Sequence, residues 1–138
     1  MKASLLYRIA SGLLVLFAIG HTLGFRQVDP SWGVDSAVGA LKSTRFDIQG
    51  LNRTYWDFYT GFGLFFTVFL VFAAVLAWQL GGVPQNVLPA MPVVPWALAL
   101  CFVGVTFLSW RYFFAVPMAF SAVITICLVL AAWVGGRR

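Results

Sequence analysis

Apolar and polar positions are sorted along this chain into long blocks. No ionised side chain lies from Ile9 to Phe25, from Phe58 to Trp110, or from Tyr112 to Gly136. A helix that crosses a bilayer needs about 20 mostly apolar residues, because hydrocarbon offers its backbone no hydrogen-bond partner. The three blocks therefore fit one, two and one spanning helices. The first runs from about Leu5 to Phe25, with Arg26 at its far end. The second begins near Tyr55 and continues to Leu80, where Gly81-Gly82-Val83-Pro84 stops it. The third runs from about Pro95 to Phe114, Pro95 being tolerated because N–H groups of the first helical turn are unpaired anyway. A tight turn near Val116-Pro117 then leads into a fourth helix ending near Val134. The pattern predicts an all-α fold, an integral membrane bundle of four transmembrane helices in a single domain, 1–138.

The sizeable polar stretch is the loop Arg26 to Arg53, with Arg26, Asp29, Asp35, Lys42, Arg45, Asp47 and Arg53. Asp29-Pro30 and Gly33 read as turns. Val34, Ala37, Val38 and Leu41 recur at helical spacing, with Asp35, Lys42 and Arg45 elsewhere, so a short amphipathic helix on the bilayer surface is expected in this first extracytoplasmic loop.

Composition agrees with the pattern. Of 138 residues, 62% are hydrophobic and only 9% charged, with mean hydropathy +0.92, which excludes an ordinary water-soluble domain. The net charge of +5 does not point to nucleic acid. Lys2, Arg8, Arg137 and Arg138 flank apolar segments, where they meet anionic lipid headgroups, and no acidic residue accompanies them. By the preference of cations for the cytoplasmic side, both termini are expected there and the long loop outside. Lys2 and Arg8 before an apolar run resemble the start of a signal peptide. No A-x-A-like site follows, so the segment is expected to stay as the first spanning helix. Cys101 and Cys127 lie in apolar segments without C-x-x-C or metal-ligand spacing, so no redox motif or metal site is indicated.

Depth singles out three residues. His21 lies about one turn inside Arg26, Asp57 about one turn inside Arg53, and Arg111 just before the turn into the last helix. All three fall on the outer side, with Arg53 and with Trp56, Tyr59, Trp110 and Tyr112, whose rings suit the headgroup level, as candidate ligand-binding residues around them. A His21–Asp57 pair would orient an imidazole as general acid or base while Arg111 held an anionic or carbonyl group, a set suited to proton transfer on a lipid-soluble substrate. Each residue also has a structural reading. Thr54-Tyr55-Trp56-Asp57 fits a capping box; Arg111 between Trp110 and Tyr112 fits an interfacial anchor; His21 fits a hydrogen-bonded packing residue. Gly20 and Gly24 form a G-x-x-x-G spacing open to close helix approach. Gly61 and Gly63, with Thr60 and Thr67, offer a similar surface, so the first two helices are expected to meet there. No nucleophile motif, phosphate loop or metal set accompanies them, and a lone histidine cannot supply both axial ligands of a haem within one chain.

Arg8, Gly12, Gly20 and His21, an R-x-x-x-G followed by G-H at the end of the first apolar run, resemble the small DoxX-like proteins of the bacterial inner membrane. The sequence departs from that pattern in its long charged first loop and in the segment Arg53 to Gly63. The resemblance implies four spanning helices and, since some members are subunits of quinone-coupled oxidoreductases, a quinone or similar lipid partner. The cofactor is not specified by any residue. The function expected is binding of a small hydrophobic or lipid-like molecule at the outer polar mouth. Against it stand a small ion or drug transporter, which at this length would work as a dimer and rely on a membrane-buried acid, Asp57 being the candidate, and a non-catalytic subunit that docks a partner through the long loop.

Overall fold

The computed structural model describes residues 2–137. Helix α1 spans Ala3–Gly24, α2 Asp35–Ser43, α3 Tyr55–Leu80, α4 Val93–Tyr112 and α5 Ala115–Gly136, with short 3-10 turns at Pro30–Trp32 and Leu88–Ala90. Strands β1, Arg45–Ile48, and β2, Leu51–Thr54, form an antiparallel hairpin. Four of the helices, α1, α3, α4 and α5, are long and apolar enough to cross a membrane. Only 22% to 44% of the positions in their most apolar stretches are buried. Surfaces such as Phe62, Phe65 and Val68 on α3 thus remain exposed. Apolar exposure on this scale is unfavourable in water and suits contact with lipid.

The chain packs as two compact units, Met1–Phe17 with Leu70–Arg138 in one and Ala18–Phe69 in the other. Small residues build the core of the first. Ala10, Ala73, Ala74, Ala77, Ala99, Ala131 and Ala132 are buried there alongside Leu14, Leu70, Phe102, Ile124 and Leu128. Small side chains bring helix backbones close enough for hydroxyl groups to reach main-chain carbonyls. Ser11 Oγ donates to the Ala74 carbonyl at 2.8 Å, and Thr125 Oγ1 to that of Phe102 at 2.8 Å. Thr106 and Thr125 pair their hydroxyls at 2.9 Å.

The reversal between α4 and α5 comes earlier than expected, at Phe113 and Phe114, both in extended backbone. Val116-Pro117 instead lies in the first turn of α5, where a missing N–H costs no helical bond.

In the second unit a helix does form at Asp35–Ser43, and none of its residues is buried. The hairpin after it is an addition to the expected all-helical plan. Gln49 and Gly50 close it with φ of 54° and 78°, the left-handed pair that a two-residue type I′ turn demands. Asp47 Oδ1 accepts the Gly50 N–H at 2.9 Å. Phe46 packs its ring against Tyr55 and Phe58, with centroids 4.9 and 5.9 Å apart, tying the hairpin to the start of α3.

Candidate functional site

The site is built in Ala18–Phe69 from the last turn of α1 and the first half of α3. His21 Nε2 lies 3.0 Å from the Gly63 carbonyl oxygen. A carbonyl only accepts, so Nε2 carries the proton and donates it, and in the neutral ring Nδ1 keeps its lone pair. The imidazole is sandwiched by aromatic rings. Phe25 stacks on it with centroids 5.0 Å apart and planes at 11°, and Phe66 meets it edge-on at 5.0 Å and 83°.

Gly63 makes this arrangement possible. A Cβ there would fall 2.2 Å from the Phe25 ring, so any larger residue would expel the ring that covers His21. Phe25 is held in turn by Tyr59, whose hydroxyl donates to the Phe25 carbonyl. The Tyr59 ring lies 5.2 Å from that of Trp56, and Lys42 Nζ sits 4.5 Å over Trp56. One turn along α3 from Gly63, the Thr67 hydroxyl meets that of Thr22 at 2.9 Å. Thr60, Gly63 and Thr67 share a face of α3 by helical spacing, and the Thr60 hydroxyl is buried without a partner among the described residues.

The expected His21–Asp57 pair does not form. Asp57 Oδ2 accepts from the Thr54 N–H at 2.8 Å and its hydroxyl at 3.0 Å, and the Asp57 N–H returns to Thr54 Oγ1 at 3.1 Å. This is the reciprocal capping box, which satisfies donors left free at a helix start. The carboxylate is already engaged locally and exposed. Helices α1 and α3 do meet at Gly63, as the glycine-rich surface suggested. Gly20, Gly24 and Gly61, by contrast, have nothing within 4 Å of where a Cβ would stand, so among the described residues nothing packs closely on the G-x-x-x-G spacing.

Of the other expected residues, Arg53 is exposed on β2 and donates to the Asn52 carbonyl at 2.9 Å. Arg111 belongs to the first unit, where its guanidinium lies 5.3 Å from the neighbouring Tyr112 ring. It is exposed, like Trp110 and Tyr112, which is the arrangement of an interfacial anchor. Phe25, Gly63 and Phe66 are the contributors that sequence reading did not assign to the site. A glycine on the α3 surface was the one available signal, and it pointed to helix contact rather than to a carbonyl partner. Among the described residues no group of three His, Cys, Asp or Glu could hold a metal ion.

Comparison with family models, with curated proteins and with solved structures finds no match in any of the three.

Proposed function

We propose that this chain is a multi-pass membrane protein that binds a small hydrophobic molecule bearing a hydroxyl or carbonyl group, of the phenol or quinone type, at His21. The observation that carries the reading is the setting of that ring. One nitrogen is fixed on the Gly63 carbonyl, aromatic rings flank it, and Nδ1 is left without a protein partner among the described residues. An anchored imidazole with a free nitrogen accepts a proton or hydrogen bond from a hydroxyl, and when protonated donates one to a carbonyl. Phe25, Phe66, Tyr59 and Trp56 supply flat apolar surface for such a ligand, and the Thr60 hydroxyl, unpartnered among the described residues, lies on the face of α3 that carries Gly63. The DoxX-like resemblance supports a quinone-like ligand and the bacterial cytoplasmic membrane. The cations at both chain ends support cytoplasmic termini, which would place this site and α2 on the outer side.

The role of Asp57 as a cap weighs against a transporter that depends on it as a buried acid. A second reading, a membrane subunit that docks a partner, is favoured by the loop Arg26–Arg53, whose helix buries none of its residues.

The test has two stages. The chain should stay in the membrane fraction after alkaline carbonate washing. Native mass spectrometry with solvent extraction, after purification in mild detergent, should then find a lipid-soluble aromatic molecule on the wild type and at least about tenfold less on His21→Ala, the loss of one charge-assisted or buried hydrogen bond. Equal retention by both would end the proposal.

A further inference from the structure

Every aspartate of the chain, Asp29, Asp35, Asp47 and Asp57, falls within Ala18–Phe69, and the sequence contains no glutamate. The other unit carries Lys2, Arg8, Arg111, Arg137 and Arg138 with no side-chain carboxylate to pair them. Among these Arg8 stands apart. Its guanidinium carbon lies 3.5 Å from the centroid of the Trp78 ring. A Cβ on Gly81 would sit 3.1 Å from Arg8 Nε and 3.2 Å from the Ser4 carbonyl oxygen, and one on Gly82 would sit 3.6 Å from Nη2. The two glycines thus leave room for the guanidinium beside the end of α3.

Nη1 is buried, and it has no hydrogen-bond partner among the described residues. The carbonyls at the end of α3 do not supply one. Those of Ala77, Gln79 and Leu80 accept the N–H groups of Gly81, Gly82 and Val83 at 3.0, 2.9 and 3.3 Å, and none of them bonds Nη1. A helix C-terminus and an indole face favour a cation in a general way. Neither fills the directed donors of a guanidinium, and a desolvated charged donor left unbonded is costly.

We infer that Arg8, seated on Trp78 beside Gly81 and Gly82, binds the phosphate of an anionic phospholipid. A phosphodiester offers two acceptor oxygens matched to the planar fork of arginine. A zwitterionic headgroup would bring an ammonium that finds no carboxylate in this unit. Leu5 and Ile9, exposed on either side of Arg8 along α1, offer apolar surface to the acyl chains. Basic sites flanking spanning helices are where such headgroups are recognised. The inference rests on the membrane reading above but not on the His21 site.

The experiment is native mass spectrometry of the full chain in mild detergent with phosphatidylglycerol or phosphatidylcholine of identical acyl chains, and separately with inorganic phosphate. The wild type should retain one phosphatidylglycerol about tenfold more tightly than phosphatidylcholine, the scale of one charge-assisted pair. Arg8→Gln should lose that preference. Arg137→Gln, which removes the same charge from an exposed arginine 3.7 Å over Trp133, should keep it within about twofold, as expected for an exposed and screened charge. Arg8→Lys, which keeps charge without the fork, should fall between and serves if the glutamine variant does not fold. Undiminished preference in Arg8→Gln, equal losses in the Arg8 and Arg137 variants, or displacement of the lipid by millimolar phosphate would each overturn the assignment. A chain released by carbonate washing would instead refute the membrane reading itself.

Discussion

Met1–Phe17 with Leu70–Arg138 holds five of the nine cations and a core of alanine, leucine and hydroxyl side chains, whereas Ala18–Phe69 holds every aspartate and the single histidine. In the latter, Ala18 and Thr54 are the buried residues among those described. Cohesion there comes from stacked rings, a capping box and hydrogen bonds between side chain and backbone. A region with little buried apolar surface opens at lower free energy than a packed core, and ligand sites are drawn from such regions. The contrast separates a helical scaffold from the part of the chain where polar chemistry is exposed and adjustable.

The sharpest way to break that contrast lies within α3. Gly63→Ala puts a methyl 2.2 Å from the Phe25 ring. It should destabilise the fold by about 1–3 kcal/mol, the usual cost of overpacking, and release His21 from its ring stack. Gly61→Ala meets nothing within 4 Å and should stabilise by about 0.5–1 kcal/mol through helix propensity. Opposite signs in denaturation of the two variants are expected; a shared sign would show that the ring packing around His21 is not as described.

Next comes the cap. Thr54→Ala removes the hydroxyl that bonds Asp57 in both directions and should cost about 1 kcal/mol. Asp57→Asn should cost less and, under the proposed function, leave retention of a hydrophobic ligand at His21 unchanged. Loss of that ligand in Asp57→Asn would return the aspartate to the binding machinery. In the scaffold, Ser11→Ala deletes the 2.8 Å bond to the Ala74 carbonyl. An interhelical bond of this kind in a membrane averages about 0.6 kcal/mol, measurable as a small shift in the unfolding midpoint.

The smallest effect is local to the loop. The Ser31 hydroxyl and then its N–H hold the Asp29 carboxyl below its ordinary range. Because the folded value is the lower one, the contribution is present above the unfolded value and is lost as pH falls through the depressed one. Acidification should therefore loosen the turn at Pro30–Trp32, seen as faster exchange of the Ser31 amide, while the long helices stay intact.

Much of the scaffold was legible in the sequence, because charge-free blocks of sufficient length admit few structures besides spanning helices. The limits of α3 could be read from Tyr55 and from Gly81-Gly82. The Thr54 to Asp57 cap carried its own signature. The hairpin was hidden because its strands are four residues each and its turn is Gln49-Gly50 rather than the stronger Asn-Gly or Asp-Gly signal. The turn at Phe113-Phe114 left no polar mark in an apolar run. The partner of His21 was invisible for a different reason. It is a main-chain carbonyl, and only the absent side chain of Gly63 hinted that a ring could approach.

The most direct measurement uses the fact that His21 is the only histidine. Nitrogen NMR of histidine-labelled protein in detergent should show the neutral ring protonated at Nε2, with Nδ1 bare, and addition of a short-chain hydroquinone should shift Nδ1 while leaving Nε2 in its bond to Gly63. A ring protonated at Nδ1 instead, or an Nδ1 resonance that ignores the hydroquinone at saturating concentration, would contradict the account.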